Sequence, residues 1–568
     1  MKKIITYYLR PYYGRMLIGL FIKFFGTITE LFIPWILAYM IDTIIPTKNK
    51  EQIYIWGMGM LLCSIAAMIF NIVANRMASK VSRDTTEALR YDLFEKITNL
   101  SSAQMDRFTK PSLISRLTSD TYNINQMLGR IQRLGVRAPI LLIGGIVITM
   151  SLDPALSMVL LCAMPFLALV VFLVSRKSIP MFHLVQEAAD RFVRLVREDI
   201  AGMRVIRALS KSQFEQEKFL KVNEELVERE QKANALTAII NPAMNIILNL
   251  GLVIVVILGA YRVNGGISKV GKILAFMTYF TVILNALLSI SRMFVTISKS
   301  IASSDRIRKV LDAEADIKLE EIEDSDEGGY LEFDHVSFSY DKGEMNLEDI
   351  CFSLKKGETL GIIGETGSGK STIIHLLLRF YEADQGKIYI GGRNIRGMEV
   401  TDLRRRFGVA FQNDTIFEDS VLENVRLGRD LTNEQIEEAV LYARAKEFVD
   451  EKGGDSQSLS IKGANLSGGQ KQRILIARAL AAHPEFLVLD DSSSALDYKT
   501  DAALRREIKE HFKDTTIVIV AQRISSVMHA DHILVMEEGR MIGYGRHEEL
   551  MKNCEIYREI SQSQMGVA

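Results

Sequence analysis

The segment TLGIIGETGSGKSTIIHLLLRF, residues 359–380, decides the fold of the second half of the chain. An apolar strand-like run leads into the glycine-rich stretch GETGSGKS, and a helical apolar run follows it. This strand–loop–helix order predicts a phosphate-binding loop, because glycines let backbone N–H groups approach a phosphate and the helix N-terminus adds partial positive charge. The predicted phosphate contacts are Gly364, Glu365, Thr366, Gly367, Ser368, Gly369, Lys370, Ser371 and Thr372.

The loop and a second apolar run together predict a site for ATP and Mg²⁺. Lys370 is expected to reach the β- and γ-phosphates, and the Ser371 hydroxyl to bind Mg²⁺. The run FLVLD ends in Asp490, which a parallel sheet would place at the edge where ligands bind, so we expect Asp490 to hold Mg²⁺ through water. Asp491 follows directly, where a carboxylate would activate the attacking water.

The first half of the chain predicts a membrane domain. Six apolar segments are long enough to cross a bilayer, at about 16–41, 53–75, 137–152, 154–175, 236–261 and 273–297. The third and fourth are separated only by a turn at Asp153 and Pro154, whereas two of the connections are long, polar and helical in period. The predicted fold class is therefore an α-helical six-span transmembrane domain followed by a P-loop α/β nucleotide-binding domain.

The predicted boundaries are 1–312 for the transmembrane domain, 313–330 for an acidic linker and 331–568 for the nucleotide-binding domain. Basic residues concentrate at 76–137 rather than at 42–52, so the positive-inside rule places both termini in the cytoplasm of a cell membrane. Lys+Arg and Asp+Glu are both 69, a balance that gives no indication of a nucleic-acid partner.

The stretch NLSGGQKQRILIARAL, residues 465–480, resembles the signature segment of the ATP-binding cassette (ABC) exporter family, and six spans followed by one cassette resemble its half-transporters. The resemblance implies that LSGGQ caps the γ-phosphate of a nucleotide held by a second half-transporter. It also implies that Tyr340 stacks on adenine and that Gln412 contacts Mg²⁺ and senses the γ-phosphate. The implied signature contacts are Ser467, Gly468, Gly469 and Gln470.

Three positions depart from the family pattern. Asp491 stands where most cassettes have Glu, Gln522 where most have His, and Ile461 where a Glu is expected before the signature. Asp is one methylene shorter than Glu, and Gln cannot carry the positive charge of His, so both catalytic positions are degenerate. The first change alone is equally compatible with neutral drift. The Asp491 and Gln522 changes together predict a subunit that binds ATP, hydrolyses it weakly and works in an asymmetric heterodimer.

The spans contain polar residues that are candidates for a substrate path. Glu30 lies near the middle of the first span, where it could attract cationic substrates or make a structural pair; Lys23, on the same helical face, is expected to snorkel to the interface. Other polar stripes could line a path or bond neighbouring helices. They comprise Asn241, Asn245 and Asn249 in the fifth span and Asn285 and Ser289 in the sixth.

The family resemblance implies ATP-driven export of hydrophobic or amphipathic compounds, most often of the multidrug type, from a bacterial cell. A lipid or peptide exporter has the same architecture. An ATP-gated channel or regulatory protein would tolerate weak hydrolysis and remains an alternative. Six spans, which require contact with membrane lipid, argue strongly against a soluble cassette ATPase that handles nucleic acid.

Overall fold

Long helices form the first part of the chain in the computed structural model. The structure describes residues 2–320, 329–340, 342–412, 414–451, 453–454, 458–492 and 494–565. The middle of the predicted acidic linker, residues 321–328, lies outside the described residues. Contacts divide the chain into a helical unit, Met1–Thr98 with Pro111–Ala313, and an α/β unit, Asn99–Lys110 with Glu314–Ala568.

The helices of the N-terminal part are long and largely apolar. In chain order they are α1 (Lys2–Leu9), α2 (Tyr13–Tyr39), α3 (Lys50–Thr98), α4 (Ser102–Phe108), α5 (Lys110–Ser115), α6 (Thr121–Leu152), α7 (Pro154–Ala208), α8 (Ser212–Ala238), α9 (Ile240–Asn264) and α10 (Val270–Leu311). Within the described part of the chain, six helical stretches are apolar and long enough to cross a membrane, as the sequence predicted. Helix α7 has 55 residues, well over twice the length that a bilayer requires, so it extends well beyond the apolar layer.

The predicted hairpin between the third and fourth spans is present and is fixed by one carboxylate. Helix α6 ends at Leu152 and α7 begins at Pro154. Asp153 Oδ1 accepts hydrogen bonds from the backbone N–H groups of Ala155 (3.0 Å) and Leu156 (3.3 Å), while Arg262 Nε donates to its Oδ2 at 3.0 Å. These donors lower the pKa of Asp153 below its ordinary value against the opposing effect of burial, so the helix cap remains ionised.

Small residues allow close helix packing in the core of the helical unit. A Cβ at Gly251 of α9 would lie 2.4 Å from the ring of Phe280 in α10, and one at Gly145 of α6 would lie 2.7 Å from Ile283. The Tyr279 hydroxyl, on α10, donates to the backbone carbonyl of Leu31 in α2. Helices α2, α6, α9 and α10 therefore share one core, as expected where packing rather than hydrophobicity joins apolar helices.

The predicted domain boundary differs from the structure in one place. Residues 99–110 were included in a continuous domain 1–312, yet they belong to the α/β unit. Helix α4 begins with a capping box at Ser101, whose Oγ donates to Asp316 Oδ2 at 2.7 Å, and Asp106 Oδ2 accepts from the Tyr381 hydroxyl at 2.5 Å. These partners are more than 200 residues away along the chain, so local sequence patterns do not show the association.

A mixed sheet forms the centre of the α/β unit. Its described strands are β1 (Leu331–Phe338), β2 (Leu347–Leu354), β3 (Thr359–Gly364), β4 (Gln385–Ile390), β5 (Arg393–Asn394), β6 (Phe407–Ala410), β7 (Phe486–Asp490), β8 (Thr516–Val520), β9 (His532–Glu537) and β10 (Arg540–Gly545). Their order is β5-β4-β1-β2-β10-β9-β3-β8-β7-β6. Strands β9, β3, β8, β7 and β6 are parallel, so their carboxyl ends share one edge.

Further helices complete the described part of the α/β unit. They are α11 (Lys370–Leu377), α12 (Val400–Arg405), α13 (Val421–Arg426), α14 (Asn433–Tyr442), α15 (Lys446–Glu451), α16 (Gly468–Leu480), α17 (Tyr498–His511), α18 (Ile524–Val527), α19 (His547–Asn553) and α20 (Glu555–Met565). Every residue of β7 is buried, which explains its uninterrupted apolar sequence before Asp490. Asp490 therefore lies at the shared carboxyl edge of the parallel strands, next to the loop that follows β3.

Candidate functional site

The phosphate-binding loop joins β3 to α11, as the sequence predicted. Gly367 and Gly369 have φ of +91° and +94°, a region that side chains with a Cβ rarely adopt. A Cβ at Gly369 would lie 2.7 Å from Leu347 and 2.8 Å from the carbonyl oxygen of Asn346, whereas nothing lies within 4 Å of one at Gly367. Gly369 is therefore required by close packing, and Gly367 leaves its side of the loop open to a phosphate.

Lys370, the first residue of α11, folds over this loop. Its Nζ donates to the carbonyl oxygens of Gly364 (2.9 Å) and Glu365 (2.6 Å). Burial lowers the pKa of the ammonium, and the nearby charges of Asp490 and Asp491 oppose that effect. The side chain is therefore positioned across the loop that a triphosphate would occupy.

Ser371 and Asp490 meet at the carboxyl edge of the sheet. The Ser371 hydroxyl donates to Asp490 Oδ1 at 3.2 Å. Ser371 follows β3 and Asp490 ends β7, and β8 lies between these two strands in the sheet. A hydroxyl beside a carboxylate is a hard-oxygen donor set that suits Mg²⁺, and such ions usually complete their coordination with water and substrate phosphates. The two residues fit the predicted metal role, in which Mg²⁺ would neutralise charge on the β- and γ-phosphates.

Asp491 lies at the centre of a small polar group. Its Oδ2 accepts a hydrogen bond from Gln412 Nε2 at 2.8 Å and from Gln522 Nε2 at 3.1 Å. The backbone of Asp491 is left-handed, with φ of +48°, and its N–H donates to the carbonyl oxygen of Val520 at 2.8 Å. The structure thus brings together the two catalytic positions that depart from the family pattern, Asp491 and Gln522, and the loop glutamine Gln412.

The two adjacent carboxylates are both shifted toward their neutral forms. Burial raises the pKa of Asp490, and the charge of Asp491 raises it further, against the hydrogen bond from Ser371. Burial also raises the pKa of Asp491, while the Gln412 amide and the Lys370 charge lower it. Negative charge is held in this edge at a free-energy cost, which a bound cation would relieve.

Tyr340 lies next to the first turn of α11. Its hydroxyl donates to Thr372 Oγ1 at 3.2 Å and is 3.0 Å from His375 Nδ1, and its ring makes an edge contact with Tyr381. The Tyr340 side of the pocket is therefore an aromatic surface attached to the phosphate loop, and the residue is 40% exposed. That placement suits the predicted stacking on adenine.

The signature segment begins α16 in the way its sequence indicates. Ser467 is the N-cap: its Oγ accepts from the Gln470 N–H at 3.2 Å, and Gln470 Oε1 accepts from the Ser467 N–H at 3.0 Å. A Cβ at Gly469 would lie 3.0 Å from the carbonyl oxygen of Ala495. This N-terminus presents backbone N–H groups and a positive dipole end to an anion. Ile461, before it, is 64% exposed.

The polar residues of the helical unit do not form one group. Glu30, Asn285 and Ser289 line a cavity of about 160 Å³ between α2, α6 and α10. The stripe on α9 does not line that cavity, and its three asparagines are all exposed. The stripe is composed of Asn241, Asn245 and Asn249.

Sequence reasoning missed the partner of Glu30 and misplaced Lys23. Arg137 was counted only among basic residues that orient the chain, yet Arg137 Nη2 donates to Glu30 Oε1 at 2.6 Å. Lys23 does not snorkel: it is 4% exposed and donates to Asn71 (2.7 Å) and Asn75 (3.1 Å). The only available signal was that Arg137 opens an apolar segment, where a charge requires a partner.

Comparison with known proteins agrees with both units. Residues 16–287 match the family model described as the ABC transporter transmembrane region, and residues 347–494 match the ABC transporter model. The chain is 33% identical over its full length to YfiB, an ABC transporter ATP-binding protein of Bacillus subtilis, covering 99% of it. It is 30% identical over 88% of its length to a Mycobacterium bovis protein named fatty acid ABC transporter ATP-binding/permease protein, covering 79% of that protein.

A solved structure of a bacterial Atm1-family ABC exporter with ATP bound shares the fold, with a TM-score of 0.82, 22% identity and 98% coverage of each chain. The two units therefore define a multi-pass membrane protein with a transport ATPase domain that binds ATP. The chain belongs to the ABC transporter family and has the architecture of an exporter half-transporter. That architecture indicates a dimer in contact with membrane lipid.

Proposed function

We propose that this chain is one subunit of an ATP-driven exporter that moves hydrophobic or amphipathic compounds out of a bacterial cell by alternating access. Both termini would be cytoplasmic, following the distribution of basic residues. Support comes from the intact phosphate loop and LSGGQ segment in one chain with six candidate spans. ATP binding would join two cassettes, and hydrolysis would separate them again.

The chain's own site is proposed to hydrolyse ATP weakly. The observation that carries this is the double hydrogen bond to Asp491, whose Oδ2 accepts from both Gln412 and Gln522. A general base needs an oxygen within hydrogen-bond reach of the attacking water, and this oxygen already has two donors. The short Asp side chain retracts the carboxylate further, and displacement by about 1 Å can cost about 100-fold in rate.

The residues for ATP binding are all present, so the weak site is proposed to be a binding site. Lys370, Ser371 and Asp490 are positioned for phosphate and Mg²⁺. Ser467 and its capping box leave the LSGGQ N-terminus formed and available to a second cassette. The economical assembly is a heterodimer in which this LSGGQ completes a competent site on a partner half-transporter.

This assembly is tested by expressing the chain alone and with candidate partners. The chain alone is expected to bind a fluorescent ATP analogue in the presence of Mg²⁺ and to show little ATPase activity. Addition of the partner is expected to raise activity to that of a normal exporter. The Lys370→Ala chain sets the background for both measurements. Strong turnover by the purified chain alone would refute the heterodimer.

The substrate is proposed to be amphipathic, with the multidrug type as the first candidate. A lipid exporter is the second candidate, because one relative is named for fatty acids. Uptake of labelled compounds into inverted vesicles distinguishes a pump from the alternatives: accumulation that requires ATP hydrolysis supports export, whereas downhill flux that needs only ATP binding would indicate a channel or regulatory role. Peptide substrates belong in the same panel.

The substrate path is proposed to include the cavity beside Glu30 and the polar stripe on α9. Asn285 and Ser289 contribute polar groups to that cavity. The exposed asparagines on α9 would then contact substrate or the second half-transporter.

A further inference from the structure

The cavity between α2, α6 and α10 has the size of a head-group site. Its volume is about 160 Å³, below the several hundred Å³ of sites that enclose a whole drug-sized ligand. Its polar lining consists of Glu30, Arg137, Asn285 and Ser289, and the remainder is apolar, including Leu134 and Val282. Such a cavity accommodates one compact polar group at the end of a larger apolar molecule.

Glu30 does not offer this cavity an uncompensated negative charge. Arg137 binds it with two hydrogen bonds, Nη2 to Oε1 at 2.6 Å and Nε to Oε2 at 3.3 Å. Both carboxylate oxygens therefore accept from the same guanidinium, in the fork geometry that Arg forms with planar carboxylates. A cationic substrate would have to compete with Arg137 for Glu30, which disfavours the cation-attracting role considered for Glu30 from the sequence.

A further cation, Lys23, interacts with the Glu30–Arg137 pair. Lys23, on the same helix as Glu30, interacts electrostatically with Arg137, Arg133 and Glu30. Its ammonium is held by neutral partners, the amide oxygens of Asn71 and Asn75. Among the described residues, Lys23 thus interacts with two guanidinium cations and with the Glu30 carboxylate. In a low-dielectric helical core this excess of cations favours an additional anion.

Arg137 also keeps hydrogen-bond donors that Glu30 does not use. Glu30 occupies two of the five N–H groups of a guanidinium. Arg137 keeps a 38% exposed side chain, so its other donors can reach a ligand in the cavity. Ser289 Oγ donates to the backbone oxygen of Asn285 at 2.8 Å, and both residues line the same cavity.

We propose that this cavity binds the carboxylate head group of an anionic amphiphile, with Arg137 as the principal contact and Glu30 as an internal carboxylate that the ligand displaces or shares. This rests on the proposed export function, because it names the class of compound that the exporter would carry. Glu30 already demonstrates the geometry: a substrate carboxylate would replace a carboxylate that the chain itself supplies.

The test measures binding of tritiated dodecanoate to the full-length chain in nanodiscs of zwitterionic lipid, without ATP. Dodecyltrimethylammonium and dodecanol are competitors with the same chain and a cationic or neutral head. The variants are Glu30→Gln, Arg137→Gln and the double substitution Glu30→Gln/Arg137→Gln, which removes both charges and leaves no unpaired acid. Arg262→Gln, which breaks a different Arg–carboxylate pair in the same unit, is the matched control.

Dodecanoate is expected to bind saturably and to be displaced poorly by the other two compounds. Glu30→Gln is expected to tighten binding by about tenfold, because it frees Arg137, while Arg137→Gln and the double variant weaken it by at least about tenfold. Arg262→Gln is expected to leave the affinity unchanged. Preferential binding of dodecyltrimethylammonium that is lost in Glu30→Gln, or equal dodecanoate affinity in all variants, would overturn the proposal.

Failure of the export function is separately visible. Binding is measured without nucleotide turnover, so dodecanoate binding with these variant effects but no ATP-driven transport would refute the exporter and retain the head-group site. ATP-driven transport of other compounds with no dodecanoate binding would refute the site and retain the exporter. Binding of the fluorescent ATP analogue to every variant verifies that the α/β unit remains folded.

Discussion

Two regions hold their charged groups in opposite ways: the carboxyl edge of the sheet with Asp490 and Asp491 (the nucleotide edge), and the cavity between α2, α6 and α10 with Glu30 and Arg137 (the helical cavity). At the nucleotide edge, Asp490 and Asp491 are adjacent and like-charged, and burial raises the pKa of both. In the cavity, the charge of Glu30 is paired with Arg137 through two hydrogen bonds. The first region suits a cation that arrives with its ligand, whereas the pair in the second region is already compensated and interacts with a further cation, Lys23. The difference teaches that charge type alone does not define what a site binds.

The comparison would fail most clearly if nucleotide binding at this edge did not depend on the Lys370 ammonium. Lys370→Ala is expected to weaken ATP binding by at least about 100-fold, because it removes an ammonium positioned for two phosphates at a buried site. Transport should fall to background in the same preparation. Fluorescent-nucleotide titration measures the affinity, and Lys499→Ala, at an exposed position of α17, is the control. Near-normal affinity in Lys370→Ala would show that the loop is not the binding site.

The proposed weak ATP hydrolysis at the nucleotide edge is tested by restoring the family residues at 491 and 522. Asp491→Glu with Gln522→His is expected to raise turnover at this site by about 10–100-fold, because Glu extends the carboxylate toward water and His can carry positive charge. ATPase activity is measured in the complex after the partner's own site has been inactivated. The single variants and Gln522→Asn are controls. Unchanged turnover would mean that something other than these two positions limits hydrolysis.

The cavity side of the comparison is sharpened by the stripe on α9. Asn245→Leu and Asn249→Leu are expected to reduce export of an amphiphile by about 3-fold each, since one hydrogen bond between polar groups in a membrane contributes about 0.6 kcal/mol. ATP binding should not change. Ile246→Leu, at an exposed neighbouring position of the same helix, is the control for added or lost apolar surface. Normal export by both variants would confine the path to the cavity near Glu30.

The smallest effect concerns stability of the nucleotide edge without ligand. The pKa of Asp490 is raised in the folded chain, so the fold favours the neutral acid. This stabilisation is fully present at a pH below the pKa of the unfolded chain, and it is lost as the pH rises through the pKa of the folded chain. Asp490→Asn mimics the neutral form and is expected to raise the Tm of the α/β unit at neutral pH by about 1–3 °C. Calorimetry in EDTA measures this, and added Mg²⁺-ATP should stabilise the variant less than the native chain. A lower Tm in EDTA would show that Asp490 is stabilising when ionised.

The nucleotide site was predictable because its chemistry constrains backbone and residue type together. The open face at Gly367, the close approach at Gly369 and the buried strand before Asp490 each require a particular local sequence. The cavity was only partly predictable. Glu30, Asn285 and Ser289 were identified as polar residues in apolar helices, but Arg137 is 107 residues from Glu30 and belongs to another helix. Similarly, nothing local assigns residues 99–110 to the α/β unit.

The sequence by itself determined the two kinds of domain, six apolar helices and a parallel-edged nucleotide fold, because hydrophobic length and loop chemistry are local properties. It also placed Asp and Gln at 491 and 522, where the family resemblance leads one to expect Glu and His. Only the tertiary structure decided that both glutamines donate to Asp491 and that Arg137 neutralises Glu30. Electrostatic partners are selected by distance in space, and helices and strands bring that distance about through packing that no short stretch of sequence encodes.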